Sequence, residues 1–118
     1  MKPLICLTMI LKDEAHSIRT TLENVRPFID RWCIADTGST DGTQDIVREV
    51  MGKIPGLLFE EPFTDFANAR NKVLDTEAAS PEPARYTLMM SADEILLGGD
   101  KLRAFLESYD GPESAFLV

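Results

Sequence analysis

The sequence has little of several residue types on which common protein chemistries depend. One histidine, His16, and two cysteines, Cys6 and Cys33, are the whole stock of imidazole and thiol ligands in 118 residues. No CxxC spacing occurs, which argues against a zinc site and against a disulfide framework. Both cysteines fall in strand-like runs and read as buried reduced thiols, a usage that points to a cytoplasmic setting. Basic charge is also short, with 12 Lys and Arg against 20 Asp and Glu and a formal net charge of -8. That balance argues against nucleic acid as a partner, because phosphate backbones select basic surfaces. It leaves room for a small phosphorylated ligand if a divalent cation or a few placed donors offset the repulsion. No apolar run reaches the length of a membrane span, and the N-terminus lacks a signal-peptide pattern, so no transmembrane segment is expected. There is no internal repeat and no low-complexity segment. With 44% hydrophobic and 27% charged residues, residues 1–118 read as one small domain with a real core.

Along the chain, short apolar runs alternate with amphipathic ones. Pro3 to Leu11 is nearly continuously apolar, as a central parallel strand should be. Ile18, Leu22, Val25 and Ile29 then recur at helical spacing, and Pro27 should kink or end that helix. Trp32 to Ala35 reads as a second strand, followed by a helix burying Ile46, Val47, Val50 and Met51 and stopping near Gly52 and Pro55. Leu57 to Phe59 is a third strand. Asp65 is placed to cap a helix through Phe66, Ala69, Val73 and Leu74. Ser80 to Pro83 reads as a mobile surface loop, and Tyr86 to Met90 as a fourth strand running into Ser91-Ala92-Asp93-Glu94. Gly98 and Gly99 precede a helix bearing Leu102, Phe105, Leu106 and Tyr109, and Ala115 to Val118 reads as a fifth strand. This order predicts an α/β fold, a mostly parallel sheet with helices on both faces.

The stretch that organises the chain is Ala35 to Thr43, A-D-T-G-S-T-D-G-T. Gly38 and Gly42 allow positive φ angles there, and the Ser and Thr hydroxyls can cap the next helix. Asp36 ends its strand, where an open parallel sheet places its ligand contacts. Acids stand at or just past the ends of three strands: Asp13 with Glu14, Asp36, and Asp93 with Glu94. Parallel strands bring those ends to one sheet edge, and that convergence points to a site before any motif is considered.

Several chemistries fail on their spacing. The turn after the first strand is L-K-D-E, so the GxGxxG of a dinucleotide-binding domain is absent, and no GxxxxGK[ST] loop occurs. An EF-hand fails because Val47 stands where the closing Glu belongs. Asp36-Thr37-Gly38-Ser39-Thr40 faintly resembles the D-K-T-G-T of aspartyl-phosphate ATPases, and Asp41-Gly42-Thr43 resembles part of the haloacid-dehalogenase motif. Those phosphatases carry a second acid two residues after the nucleophile, where this chain has Gly38, so phosphoryl transfer on Asp36 is a minor alternative.

Four segments in order, L-T-M-I-L-K-D-E, A-D-T-G-S-T-D-G-T, F-A-N-A-R-N and the acids after the fourth strand, resemble the family 2 glycosyltransferases of the A-type nucleotide-sugar-binding fold. The resemblance covers nearly the whole chain and matches the N-terminal, donor-binding part of such enzymes, so a truncated Rossmann-like domain is expected. It implies inverting transfer from a nucleoside-diphosphate sugar, such as a UDP-sugar, with Mg or Mn bridging the diphosphate. By position it implies substrate contacts from Asp36 (base or ribose), Arg70 (base and diphosphate), Ser91 (ribose) and Glu14, and metal binding by Asp93, the second acid of a D-x-D motif. Ser91 stands where the first acid of that motif usually stands, which should weaken metal binding.

The family's general base lies in the later half of its domain, and Glu107, Asp110 and Glu113 carry no context that singles one out. His16 reads as a surface residue. A donor-binding fragment inactive by itself is therefore expected, and a non-catalytic nucleotide-binding module is the alternative. An unpaired last strand, with Leu96, Leu97 and Phe116 exposed near it, predicts a homodimer.

Overall fold

The computed structural model describes residues 3–62, 65–80, 83–108 and 116–117. Strands β1 (Ile5–Leu11), β2 (Arg31–Asp36), β3 (Gly56–Glu60), β4 (Tyr86–Met89) and β5 (Phe116–Leu117) form one sheet in the order β3-β2-β1-β4-β5. Every pairing is parallel. The helices are α1 (Ile18–Val25), α2 (Thr43–Met51), α3 (Phe66–Ala78) and α4 (Gly99–Ser108).

Strand alternation sorts the core into two faces. Ile5, Leu7, Met9 and Leu11 of β1 join Trp32 and Ile34 of β2 in a large apolar cluster with Ile18, Leu22 and Val25 of α1 and Val47, Val50 and Met51 of α2. Cys6, Cys33 and Ala35 point the other way and meet Val73 of α3 in a smaller cluster. Helices therefore cover both faces, and β1, buried on both, is the continuous apolar run that its central place requires. Both cysteines are free and buried.

Two polar ties complete the frame. At the N-terminal edge of the sheet, the Asp30 carboxylate accepts the Leu4 and Ile5 amides at 3.0 and 3.1 Å, and Arg103 of α4 grips both of its oxygens. Under α3, the buried Glu77 carboxylate accepts from Arg31 at 3.2 Å, from the Cys6 thiol at 3.1 Å and from the Ala84 amide at 3.0 Å. A buried charge with this many donors is partnered as burial demands.

Some boundaries differ from those that the sequence suggests. Helix α1 ends at Val25, and a 3₁₀ turn at Arg26–Phe28 holds Pro27. Pro27 cannot donate to an α-helical ladder, so Ile29 reaches the core from beyond the helix. Ile46 is only half-buried, and Phe105, on α4, is 58% exposed. The predicted exposure holds for Leu97, at 88%, whereas Leu96 packs partly against the core. Tyr109, Ala115 and Val118, the middle of the Ser80 to Pro83 loop and the side chain of Phe116 lie outside the described residues.

Candidate functional site

The turn after β2 is built by its own side chains. Asp36 is fully buried, and its Oδ1 accepts the Gly38 and Ser39 amides at 2.8 and 2.7 Å. Burial alone would raise its pKa, but the Ser39 and Gly38 donations outweigh that and hold the carboxyl below the usual range. Its Oδ2 has no hydrogen-bond partner among the described residues. Gly38 has φ 125° and Gly42 has φ 92°, conformations in which a Cβ would be strained. Gly42 is the N-cap of α2, and no hydroxyl caps that helix. Instead Asp41 accepts the Thr43 amide at 3.1 Å and also its hydroxyl, which corrects the expected Ser or Thr cap. Capping of α3 by Asp65 is as expected, with Oδ1 accepting the Asn68 amide at 2.7 Å.

The loop after β1 is stitched to this turn. The Asp13 amide donates to Ser39 Oγ at 2.8 Å, and Asp13 Oδ1 accepts the Thr40 amide at 2.8 Å. The Glu14 amide donates to Thr43 Oγ1 at 3.0 Å, and that of Ala15 to Asp41 Oδ2 at 3.1 Å. Asp13 itself has φ 52°, a left-handed conformation that Asp tolerates better than most residues.

The turn after β4 is held from below by α1. The Thr21 hydroxyl donates to the Ala92 carbonyl at 2.6 Å, with Ser17 Oγ at 3.4 Å from the same oxygen. Asn24 accepts the Leu96 amide at 2.7 Å and donates to the Leu96 carbonyl at 3.2 Å. Ala92 is thereby buried, while Ser91, Asp93 and Glu94 remain exposed. Within the turn, Glu94 Oε1 accepts the Ser91 amide at 2.6 Å. These α1 anchors were missed by reasoning from the sequence. Their signal is the polar stripe Ser17, Thr21, Asn24 at i, i+4 and i+7, running beside the apolar one.

A cleft of about 480 Å³ opens between the two turns at the C-terminal ends of β1 and β4. Lys12, Glu14, Thr37, Ser91 and Asp93 line it, against apolar wall from Ile10, Leu11 and Ala92. Three of the five predicted site residues, Glu14, Ser91 and Asp93, thus share one cavity. Asp36 lies beneath its rim, next to Thr37, and Arg70 stands exposed on α3 outside the lining. Lys12 and Thr37 line the cleft without having been singled out beforehand. His16 is at the surface, its side chain 76% exposed and 3.8 Å from Glu14.

Among the described residues, no group of three or more His, Cys, Asp or Glu side chains is placed to hold a metal ion. A site made of protein ligands alone is therefore not formed there. Magnesium-type ions, however, often take only one or two carboxylates and complete their shells with substrate phosphate and water. Asp93, exposed at the cleft, suits the part of a single carboxylate ligand.

An all-parallel sheet covered on both faces, with its cleft at the carboxyl ends of the strands, defines a Rossmann-like α/β domain, and the carboxyl edge is where open sheets of this kind usually place their ligands. The chain belongs to glycosyl transferase family 2, whose model matches residues 6–118. It is also 35% identical, over 117 residues, to a TPR repeat-containing protein of Synechococcus elongatus. That alignment covers 97% of this chain and 26% of the relative, so the chain spans about a quarter of the relative's length. No helix among the described residues is long and apolar enough to cross a membrane.

Proposed function

We propose that this chain binds the nucleoside diphosphate of a nucleotide sugar and serves as the donor-binding part of an inverting glycosyltransferase. The observation that carries the reading is the cleft, which gathers Glu14, Ser91 and Asp93 beside Thr37 at one sheet edge. In this reading Asp36, fully buried, fixes the turn that faces the base or ribose through its bonds to the Gly38 and Ser39 amides, Ser91 offers its hydroxyl to the ribose, and Arg70 approaches from the first turns of α3. Glu14 orients polar groups of the ligand from the end of the first strand. Asp93 would hold Mg or Mn, and such an ion would supply Lewis-acid stabilisation of the departing phosphate charge.

Calorimetric titration of a panel of nucleoside diphosphates and nucleotide sugars, with Mn and with EDTA, tests this reading. Mn should strengthen binding by about tenfold or more, and Asp93→Ala should remove that gain, consistent with one lost charged ligand of roughly 1.5–3 kcal/mol. Equal affinity with and without metal would remove Asp93 from its role. A second reading, nucleotide binding without transfer, is favoured by Ser91 in the place of an acid. Glycosyl transfer by a longer protein carrying this domain would exclude it.

A further inference from the structure

Lys12 stands at the end of β1 and lines the cleft. Its side chain is exposed, and it makes no hydrogen bond or ion pair among the described residues. Two carboxylates, Glu14 and Asp93, line the same cavity, yet neither pairs with it. An unpaired lysine is unremarkable on a basic protein. In a chain of net charge -8, a cation left free at the mouth of a polar cleft is available to an anionic ligand.

The surrounding backbone aims the lysine. Leu11, just before it, ends a strand registered opposite Asp36. Asp13, just after it, is clamped at φ 52° by its paired bonds to Ser39 and Thr40. The Lys12 stem crosses Gly38, with Cε 3.9 Å from where a Cβ on that glycine would stand. The side chain is thus led over the turn after β2 and towards the cavity.

We propose that Lys12 is a diphosphate-binding residue of this cleft, a fixed positive charge that takes up part of the counter-charge which a second carboxylate-held metal contact would otherwise organise. The proposal rests on the nucleotide-binding reading above and adds the residue that would hold the anion when metal is scarce. Lysine suits the task as a compact point charge that meets phosphate oxygens without a fixed fork geometry. The contact sits at a solvent-facing rim, so its strength should fall as ionic strength rises.

The test uses two probes, inorganic pyrophosphate and the panel of nucleoside diphosphates, each titrated in EDTA and in Mn. The proteins compared are the wild type, Lys12→Met, Lys12→Arg and Lys53→Met. Lys53 is exposed in the connection between α2 and β3, at the far edge of the sheet, and its variant carries the same change in net charge. Lys12→Met should bind both probes about tenfold more weakly, in EDTA as well as in Mn, with a flatter dependence on salt. Lys12→Arg should keep most of the affinity, and Lys53→Met should match the wild type. An unchanged thermal midpoint in Lys12→Met separates loss of contact from loss of fold. Wild-type affinity in Lys12→Met, or an equal loss in Lys53→Met, overturns the proposal while leaving nucleotide binding intact. Pyrophosphate bound through Lys12 with no nucleoside diphosphate bound would overturn the donor-binding reading and keep the anion site. Binding of neither probe by the wild type overturns both.

Discussion

The turn after β2 and the turn after β4 bring acids to the same sheet edge, but opposite means hold them. In the first, the fixing groups belong to the turn itself or to the loop beside it: Asp36 takes the Gly38 and Ser39 amides, and Asp41 takes that of Thr43. In the second, the exposed acids ride on a backbone pinned by Thr21 and Asn24, more than 70 residues earlier in the chain. One turn is self-contained and buries its key carboxylate. The other presents its carboxylates to solvent and borrows its rigidity from a helix. The first wall of the cleft is therefore preset, and the second depends on how well α1 is docked.

Breaking Asp36 should produce the largest effect. Asp36→Ala removes the buried acceptor of two part-buried amide bonds and should cost roughly 2–3 kcal/mol of stability, read as a shift in the urea midpoint. Asp36→Asn keeps the oxygen that those amides use and should cost about 1 kcal/mol or less. The pH dependence sharpens the contrast. The folded-state pKa of Asp36 is depressed, so its stabilisation is present above the unfolded value of about 3.9 and is lost as pH falls through the folded value. Asp30 shifts the same way: burial opposes the shift, and Arg103 with the Ile5 and Leu4 amides outweighs it. Asp36→Asn should thus flatten the fall in stability below about pH 4 without abolishing it.

Thr21→Val attacks the other wall. It leaves the Ala92 carbonyl without its short hydroxyl donor, so a loss of about 1–2 kcal/mol is expected. The diagnostic readout is local: amide exchange at residues 92–96 should quicken, while exchange in the turn after β2 stays at the wild-type rate. Equal quickening in both turns would show that they are not separately held. Glu94→Ala should have the smallest effect, within about 0.5 kcal/mol, because its bond to the Ser91 amide lies at an exposed turn. A larger loss would mean that the acid turn is more self-supporting than its contacts suggest.

The same difference explains what could be read in the sequence. Runs such as Pro3 to Leu11 and the stripe Ile18, Leu22, Val25 reveal strands and helices through their periodicity, and alternation of the two yields the parallel sheet. Asp36, Gly38 and Gly42 were legible because their roles are settled within a few residues. The cleft lining was legible only in part. Glu14, Ser91 and Asp93 follow from topology, since each lies just past a strand end. Arg70 carried only a local motif, and the geometry leaves it on α3 outside the lining. Lys12 looked like the polar end of a strand, because what distinguishes it is the lack of a partner, which only three-dimensional neighbours reveal. The cap of α2 was misassigned since several hydroxyls compete in that turn, and Asp41, fixed also by Ala15, takes the amide first.

The small cluster beneath α3 gives the protein a built-in clock. Burial and the nearby Glu77 charge push the Cys6 thiol upward, and burial raises Cys33 to about 11. Since only a thiolate attacks an alkylating reagent, both sulfurs are silent while the helix is seated. Their hydrogens point to Glu77 and Val73, both on α3, so the event that exposes them is the lifting of that helix. Labelling at a fixed pH then counts such departures one molecule at a time, without any introduced dye or substitution. Any ligand that stabilises the seated helix would slow the count, turning two buried cysteines into a gauge of occupancy.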